Sequence, residues 1–138
     1  MRGRRVVMDS LVANGVSHIF GNPGTTETPL LDSLVSYPQI EYIMTLHEGV
    51  AVGAASFYAQ ASGQTAVANL HVAPGLGNGI GAIYGALKAN SPLIVCWNDL
   101  PSSSCFLPYS LTSSFHSFSY FAPRSIALRK CVSASSGT

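Results

Sequence analysis

The chain has 138 residues, of which 47% are hydrophobic and 9% charged, against about 25% charged in ordinary soluble domains. With Lys+Arg 7 and Asp+Glu 6 the formal net charge is +1, which excludes both a basic nucleic-acid-binding field and an acidic tail. So much apolar surface excludes disorder as the state of the whole chain, and the length suits one domain of ordinary size.

Taken in chain order, Val6–Asn14 reads as a short helix stopped by Gly15, where a left-handed residue is wanted. Val16–Phe20 reads as a strand, followed by the turn-forming Gly21-Asn22-Pro23-Gly24. Thr28-Pro29 predicts a helix start, with Thr as cap and Pro in the first turn, and puts Leu30, Leu31 and Leu34 on one face. Ile40–Met44 is the second strand and Glu48–Ala61 the second long helix. Thr65–Leu70 is a third strand, Leu76–Ala89 a Gly- and Ala-dominated helix, and Ser91–Cys96 a fourth strand. Strands and helices alternating in this way imply right-handed crossovers, hence an α/β fold with a parallel sheet of about four strands and helices on both faces. Ligands of such sheets sit beyond the carboxyl ends of the strands, where Gly21–Thr26, Thr45–Glu48 and His71–Gly75 fall.

From Gly49 to Asn98 the only formal charge is Lys88. A lone domain of this size cannot keep half its chain from water, so part of this stretch is expected to be covered by another domain or subunit. Membrane insertion does not explain it, because no apolar run approaches the roughly 18–20 residues of a spanning helix. The amino terminus has no hydrophobic segment of signal length. Cys96, Cys105 and Cys131 form no CxxC pair, so reduced thiols in an intracellular, cytoplasmic protein are expected. Past Trp97 the character changes. Residues 101–138 hold twelve serines and no acidic residue, and no period persists there.

Glu48 stands in an apolar context at a strand-to-helix junction. One reading is structural: Thr45-Leu46-His47-Glu48 has capping-box spacing, and Glu in a first turn suits the helix dipole. The other is a carboxylate held in a dry crevice to share a proton with a ligand. His71 at the end of the third strand is placed for acid–base work, or is a hydrogen-bonded structural residue. His47-Glu48 begins HEGVA, which lacks the second histidine of HExxH, so no metal site is expected. His18 and His116 carry no assignment. Gly77–Ala82 matches GxGxxA, with Asp99 about twenty residues on as in the dinucleotide fingerprint. The same glycines serve close helix packing, which is the favoured reading.

Three stretches together, GVSHIFGNPGTTETPLLDSL, YIMTLHEGVAVGAASFYAQASG and AVANLHVAPGLGNGIGAIYGALKANSPLIV, resemble the amino-terminal pyrimidine-binding domain of thiamine diphosphate-dependent enzymes. The similarity is to decarboxylases of the benzoylformate decarboxylase type, with acetolactate synthase more distant. The resemblance implies that Glu48 hydrogen-bonds a ring nitrogen of the cofactor's aminopyrimidine and favours the tautomer that removes the thiazolium proton, the cofactor then acting as electron sink when a 2-oxo acid loses carbon dioxide. It implies a catalytic, substrate-side His71, and a substrate-contacting hydroxyl at Thr25, where the decarboxylase branch commonly has serine. Gly21–Gly24 (Pro23 and Gly24 among them), Pro74, Gly75, Gly77 and Asn78 match loops that shape the cofactor cleft.

The family's GDG motif, which holds Mg2+ and the diphosphate, does not occur in this sequence. The expectation is therefore a truncated pyrimidine-binding domain over residues 1–97 and an atypical, out-of-frame Ser-rich tail over 98–138. Such a chain is not expected to turn over alone. Its expected partners are a second copy or a full-length family member, met through the Gly/Ala-rich helices, and a small 2-oxo acid; neither nucleic acid nor membrane is expected. The alternatives are a non-catalytic fragment docking onto a full-length relative, and a dinucleotide-binding module.

Overall fold

The structure is a computed structural model that describes residues 3–98 and the strand Ala127–Cys131. Helix α1 spans Gly3–Ala13, strand β1 His18–Gly21, helix α2 Thr28–Ser33, strand β2 Glu41–Met44, helix α3 Glu48–Ser62, strand β3 Ala66–Leu70, helix α4 Val72–Lys88 and strand β4 Leu93–Asn98. All strand pairs are parallel, in the order β2-β1-β3-β4-β5, where β5 is Ala127–Cys131. The four expected strands are present. The fifth comes from the segment that showed no period: Ala-Leu-Arg-Lys-Cys carries charge, as edge strands do, and joins β4 through backbone pairing. The rest of residues 99–138, and with it most of the expected tail, lies outside the described residues.

The period of two along each strand divides the core into two layers. Ile19 and Val67 join Met8, Leu11, Val16 and Ile40 on the α1/α2 face, where Leu30 and Leu34 pack as expected, without the Leu31 expected beside them. Phe20, Ala66, Ala68, Leu70, Leu93 and Val95 face α3 and α4. On α3 the positions against the sheet include Ala51, Ala55 and Ala59, all inaccessible to solvent, so the helix axis can approach the strands closely. Every residue of β3 is buried, which a parallel strand covered on both faces requires.

Helix ends explain the boundary differences. Gly15 adopts φ +72 at the end of α1, as expected. Helix α2 starts after a short 3-10 turn over Thr25–Glu27, so Glu27 occupies the cap position and Thr28 lies inside the helix. Helix α4 begins at Val72, one turn before the expected Leu76, with Pro74 tolerated in its first turn. Pro74 and Gly75 are therefore helical rather than loop residues. Gly77–Ala82 likewise lies within the helix, where backbone N–H groups are engaged in the helical ladder. It does not form the strand-to-helix turn of a dinucleotide fingerprint. Gly79 is in close packing, facing Leu70 and Val52, whereas Gly77, Gly81 and Gly85 face open space.

Opposite the sheet, α3 and α4 leave Val50, Phe57, Ile80, Tyr84 and Leu87 exposed, Phe57 at 74%. Among the described residues no helix is long and apolar enough to cross a membrane.

Candidate functional site

The chain runs from β1 to β2 on one side and back over β1 to β3 on the other. This reversal places a crevice beyond the carboxyl ends of β1 and β3, the position where open α/β sheets bind ligands. The loop after β1 supplies Asn22, Pro23, Gly24, Thr25, Thr26 and Glu27. The junction after β2 supplies Glu48, and the start of α4 supplies His71, Gly75 and Asn78.

Glu48 is the first residue of α3 and only 6% exposed. Its Oε1 accepts from the Asn22 side-chain amide at 3.2 Å and its Oε2 from that of Asn78 at 3.0 Å. The capping-box reading of this junction is corrected by the structure. The cap is His47, whose Nδ1 accepts from the Gly49 N–H at 3.0 Å, while Thr45 donates to the His47 carbonyl at 3.2 Å. Glu48 stands two positions too early to reach back, so its carboxylate is free to serve the crevice. Burial pushes its carboxyl up. The Asn78 amide, its own backbone N–H, the Asn22 amide and the nearby His47 pull it down further, and the net value lies below the ordinary 4.5. A buried group is thereby kept ionised at neutral pH.

Beside it lies a second group. His71 Nδ1 lies within hydrogen-bond distance of Glu27 Oε2, at 2.7 Å, and Glu27 has no solvent exposure at all. The same carboxylate accepts from the Gly24 N–H at 2.8 Å and from the Thr26 hydroxyl at 2.7 Å. Thr26 Oγ1 is also 3.3 Å from His71 Nδ1. A side chain at Gly24 would overlap the imidazole. Behind this group Asn69 donates its side-chain amide to the Tyr42 hydroxyl at 3.2 Å. Burial pushes the Tyr42 phenol up to about 12; the Asn69 bond opposes this and the Glu27 charge adds to it.

The structure thus brings Glu48, Asn78 and Gly75 together, and His71 with Gly24. Pro23 is half-buried on the same loop, whereas Thr25 and Pro74 are exposed on its rim. The hydroxyl that reaches His71 is that of Thr26, next to the expected Thr25. Thr26 and Glu27 are the site residues that sequence reasoning missed, whereas Asn22 was expected only as part of the loop Gly21–Gly24 and not as a partner of Glu48. Glu27 did carry a signal: it follows Gly24 by three residues, the spacing at which a Glu returns to a cap amide, and it is the only acid in a Thr-, Gly- and Pro-rich turn. Among the described residues no group of three or more His, Cys, Asp or Glu side chains could hold a metal ion.

The chain matches the family model described as thiamine pyrophosphate enzyme, N-terminal TPP binding domain, over residues 1–105. It is 46% identical over 83 residues to benzoylformate decarboxylase of Pseudomonas aeruginosa, covering 59% of this chain and 15% of the decarboxylase. It is 33% identical over 103 residues to the acetolactate synthase large subunit of Buchnera aphidicola, covering 75% of this chain and 18% of the synthase. The solved thiamine diphosphate-dependent 4-hydroxybenzoylformate decarboxylase of Rhodococcus jostii RHA1 superposes with a TM-score of 0.65 at 34% identity, over 70% of this chain and 18% of that one. The chain therefore spans less than a fifth of the length of these relatives. By the extent of the family match and a fold shared with a solved thiamine diphosphate-dependent enzyme, the chain belongs to the thiamine pyrophosphate enzymes, as their N-terminal TPP-binding domain.

Proposed function

We propose that this chain supplies the pyrimidine-binding half of a thiamine diphosphate site in a 2-oxo acid decarboxylase or carboligase of the benzoylformate decarboxylase kind. The observation that carries the reading is Glu48: a buried carboxylate, ionised, gripped by two amides and facing a glycine rather than a side chain. Such a carboxylate fits a flat, nitrogen-bearing ring, because it keeps acceptor capacity beyond the two amide bonds and Gly75 leaves room beside Oε1. When bound, thiamine diphosphate supplies the electron sink for loss of carbon dioxide. Glu48 holds or shares a proton at a ring nitrogen, and Asn22 and Asn78 fix its two oxygens. Pro23, Gly24, Pro74 and Gly75 shape the cleft, while Thr25 and His71 face the 2-oxo acid, with His71 the acid–base group. Mg2+ and the diphosphate are assigned to a separate diphosphate-binding domain, so the chain alone is not expected to turn over.

The assembly partner in this reading is a second copy or a full-length family member, docked on α3 and α4. The exposed row of Val50, Phe57, Ile80, Tyr84 and Leu87 supports that assignment. It equally favours a second reading, in which the chain docks onto a full-length relative without contributing to catalysis. Mixing the chain with a full-length relative, then assaying thiamine- and magnesium-dependent carbon dioxide release with wild-type and Glu48→Gln chains, separates the two. Activity that follows Glu48 supports the catalytic half-site, and inhibition indifferent to Glu48 supports docking alone. Turnover by the isolated wild-type chain, abolished in Glu48→Gln, would overturn the half-site assignment. The division at Trp97, with 98–138 as an out-of-frame tail, is a separate proposal. It is tested by reading the coding nucleotides beyond Trp97 in the other two frames for resumed family-like sequence.

A further inference from the structure

The His71 ring is held by two contacts and followed by a strained residue. Its Nδ1 meets Glu27 Oε2 at 2.7 Å, Gly24 lies against the ring so closely that any β-carbon there would overlap it, and the next residue, Val72, has φ 47. A left-handed backbone is a rare state for a β-branched residue, and such outliers persist where the surroundings over-determine them. Here the outlier sits at the turn from β3 into α4, directly after His71.

The hydrogen-bond accounting around Glu27 decides which ring nitrogen holds the proton. The Gly24 N–H can only donate, and it does so to Oε2 at 2.8 Å. The Thr26 hydroxyl occupies Oε1 at 2.7 Å. Two donors already on the carboxyl suit it as an acceptor-only anion, which makes Nδ1 the donor in the contact with His71. Among the described residues no other basic side chain forms an ion pair with Glu27.

We propose that Glu27 is a positioning residue that locks the neutral His71 ring in its Nδ1–H tautomer. Nε2 then carries the lone pair and is the nitrogen at which His71 takes up a proton and gives it back in an acid–base step. The inference rests on the reading of His71 as the substrate-side acid–base group and names the atom that serves. Glu27, placed on a short turn with its partner 44 residues away in sequence, acts on chemistry only through His71.

The test is long-range proton–nitrogen NMR of the full chain labelled at histidine, recorded above the titration midpoint of the ring, with His18, His47 and His116 as internal references. The expected wild-type spectrum shows His71 with a protonated Nδ1 and a bare Nε2. In Glu27→Gln, where a neutral acceptor replaces a charged one, the tautomer ratio is expected to shift toward Nε2–H by about tenfold. A wild-type ring found in the Nε2–H form overturns the proposal without any variant, so a misfolded Glu27→Gln does not protect it. An unchanged ratio in a folded Glu27→Gln also overturns it, since a merely structural contact would leave the tautomer untouched. An Nδ1–H ring in a chain that contributes nothing to a mixed active site supports the tautomer lock and counts against the catalytic half-site alone.

Discussion

Gly75 faces Glu48 so closely that a β-carbon on it would stand 3.1 Å from Oε1 and 3.3 Å from Cγ. The carboxylate can keep its two amide partners because the helix wall beside it has no side chain. Gly75→Ala gains roughly 1 kcal/mol of helix propensity and loses a comparable amount to crowding. Thermal stability is therefore expected to change little, while the Glu48 carboxyl titrates higher as its hydrogen bonds are displaced. Carboxyl-carbon NMR beside a melting curve checks both, and an unmoved titration would count against the contact.

Asn78 carries the largest of the influences that lower the Glu48 carboxyl, and burial opposes it. Asn78→Ala removes the first and leaves the second, so the Glu48 midpoint should rise. Asn22→Ala should raise it less, following the order of their contributions. A fall in either variant contradicts the geometry.

The same group makes stability depend on pH. Its folded value lies below the ordinary 4.5, so it contributes stability that is present above that value and lost as pH falls through the folded one. Denaturant titrations from neutral pH into the acid range should show this loss in the wild-type chain. Glu48→Gln should lack that component, and identical acid limbs would refute it.

Tyr42 produces the opposite dependence. Its phenol is pushed from 10.0 to about 12 by burial, so the stability it contributes is full below pH 10 and disappears as pH rises through the folded value near 12. Tyrosinate absorbance should reveal a late-titrating component that is absent from Tyr42→Phe, whose alkaline unfolding should also be shallower.

Two glycines separate packing from propensity. A β-carbon at Gly21 would overlap the Tyr42 hydroxyl and lie 2.6 Å from the Asn69 carbonyl oxygen, whereas at Gly53 it would meet nothing. Gly21→Ala should cost about 1–3 kcal/mol, and Tyr42→Phe should restore only part, because the backbone carbonyl remains. Gly53→Ala should add roughly 0.5–1 kcal/mol. Chemical denaturation of the isolated chain measures both.

Much of the fold was legible because each central strand is a short apolar run with helical pattern on either side, and Gly15 marks the end of α1. Glu48 was legible because it is a carboxylate within an apolar stretch. Its purpose was harder to read: a shift of two residues between Thr45 and the true cap, His47, turns a capping Glu into one that serves a crevice. Glu27 was hidden for the converse reason. Its neighbours Thr25, Thr26 and Thr28 look like an ordinary polar turn, and the histidine that gives it meaning comes from another strand end. Helix α4 starts early because His71 and the left-handed Val72 turn the chain directly into it, and no propensity scale anticipates a β-branched residue in that state. Strand β5 has no alternation to read; its position depends on the edge that β4 offers.

The two halves of the Glu27–His71 pair are anchored unequally. His71 follows β3, all of whose residues are buried, and its amides should be among the last to exchange with deuterated solvent. Glu27 ends a 3-10 turn that leads into α2, a helix with no buried residue of its own. Local fraying of α2 can therefore carry the carboxylate away while the imidazole stays where the sheet holds it. The pair is expected to open from the Glu27 side, its opening frequency following the exchange rates of α2 rather than those of the sheet.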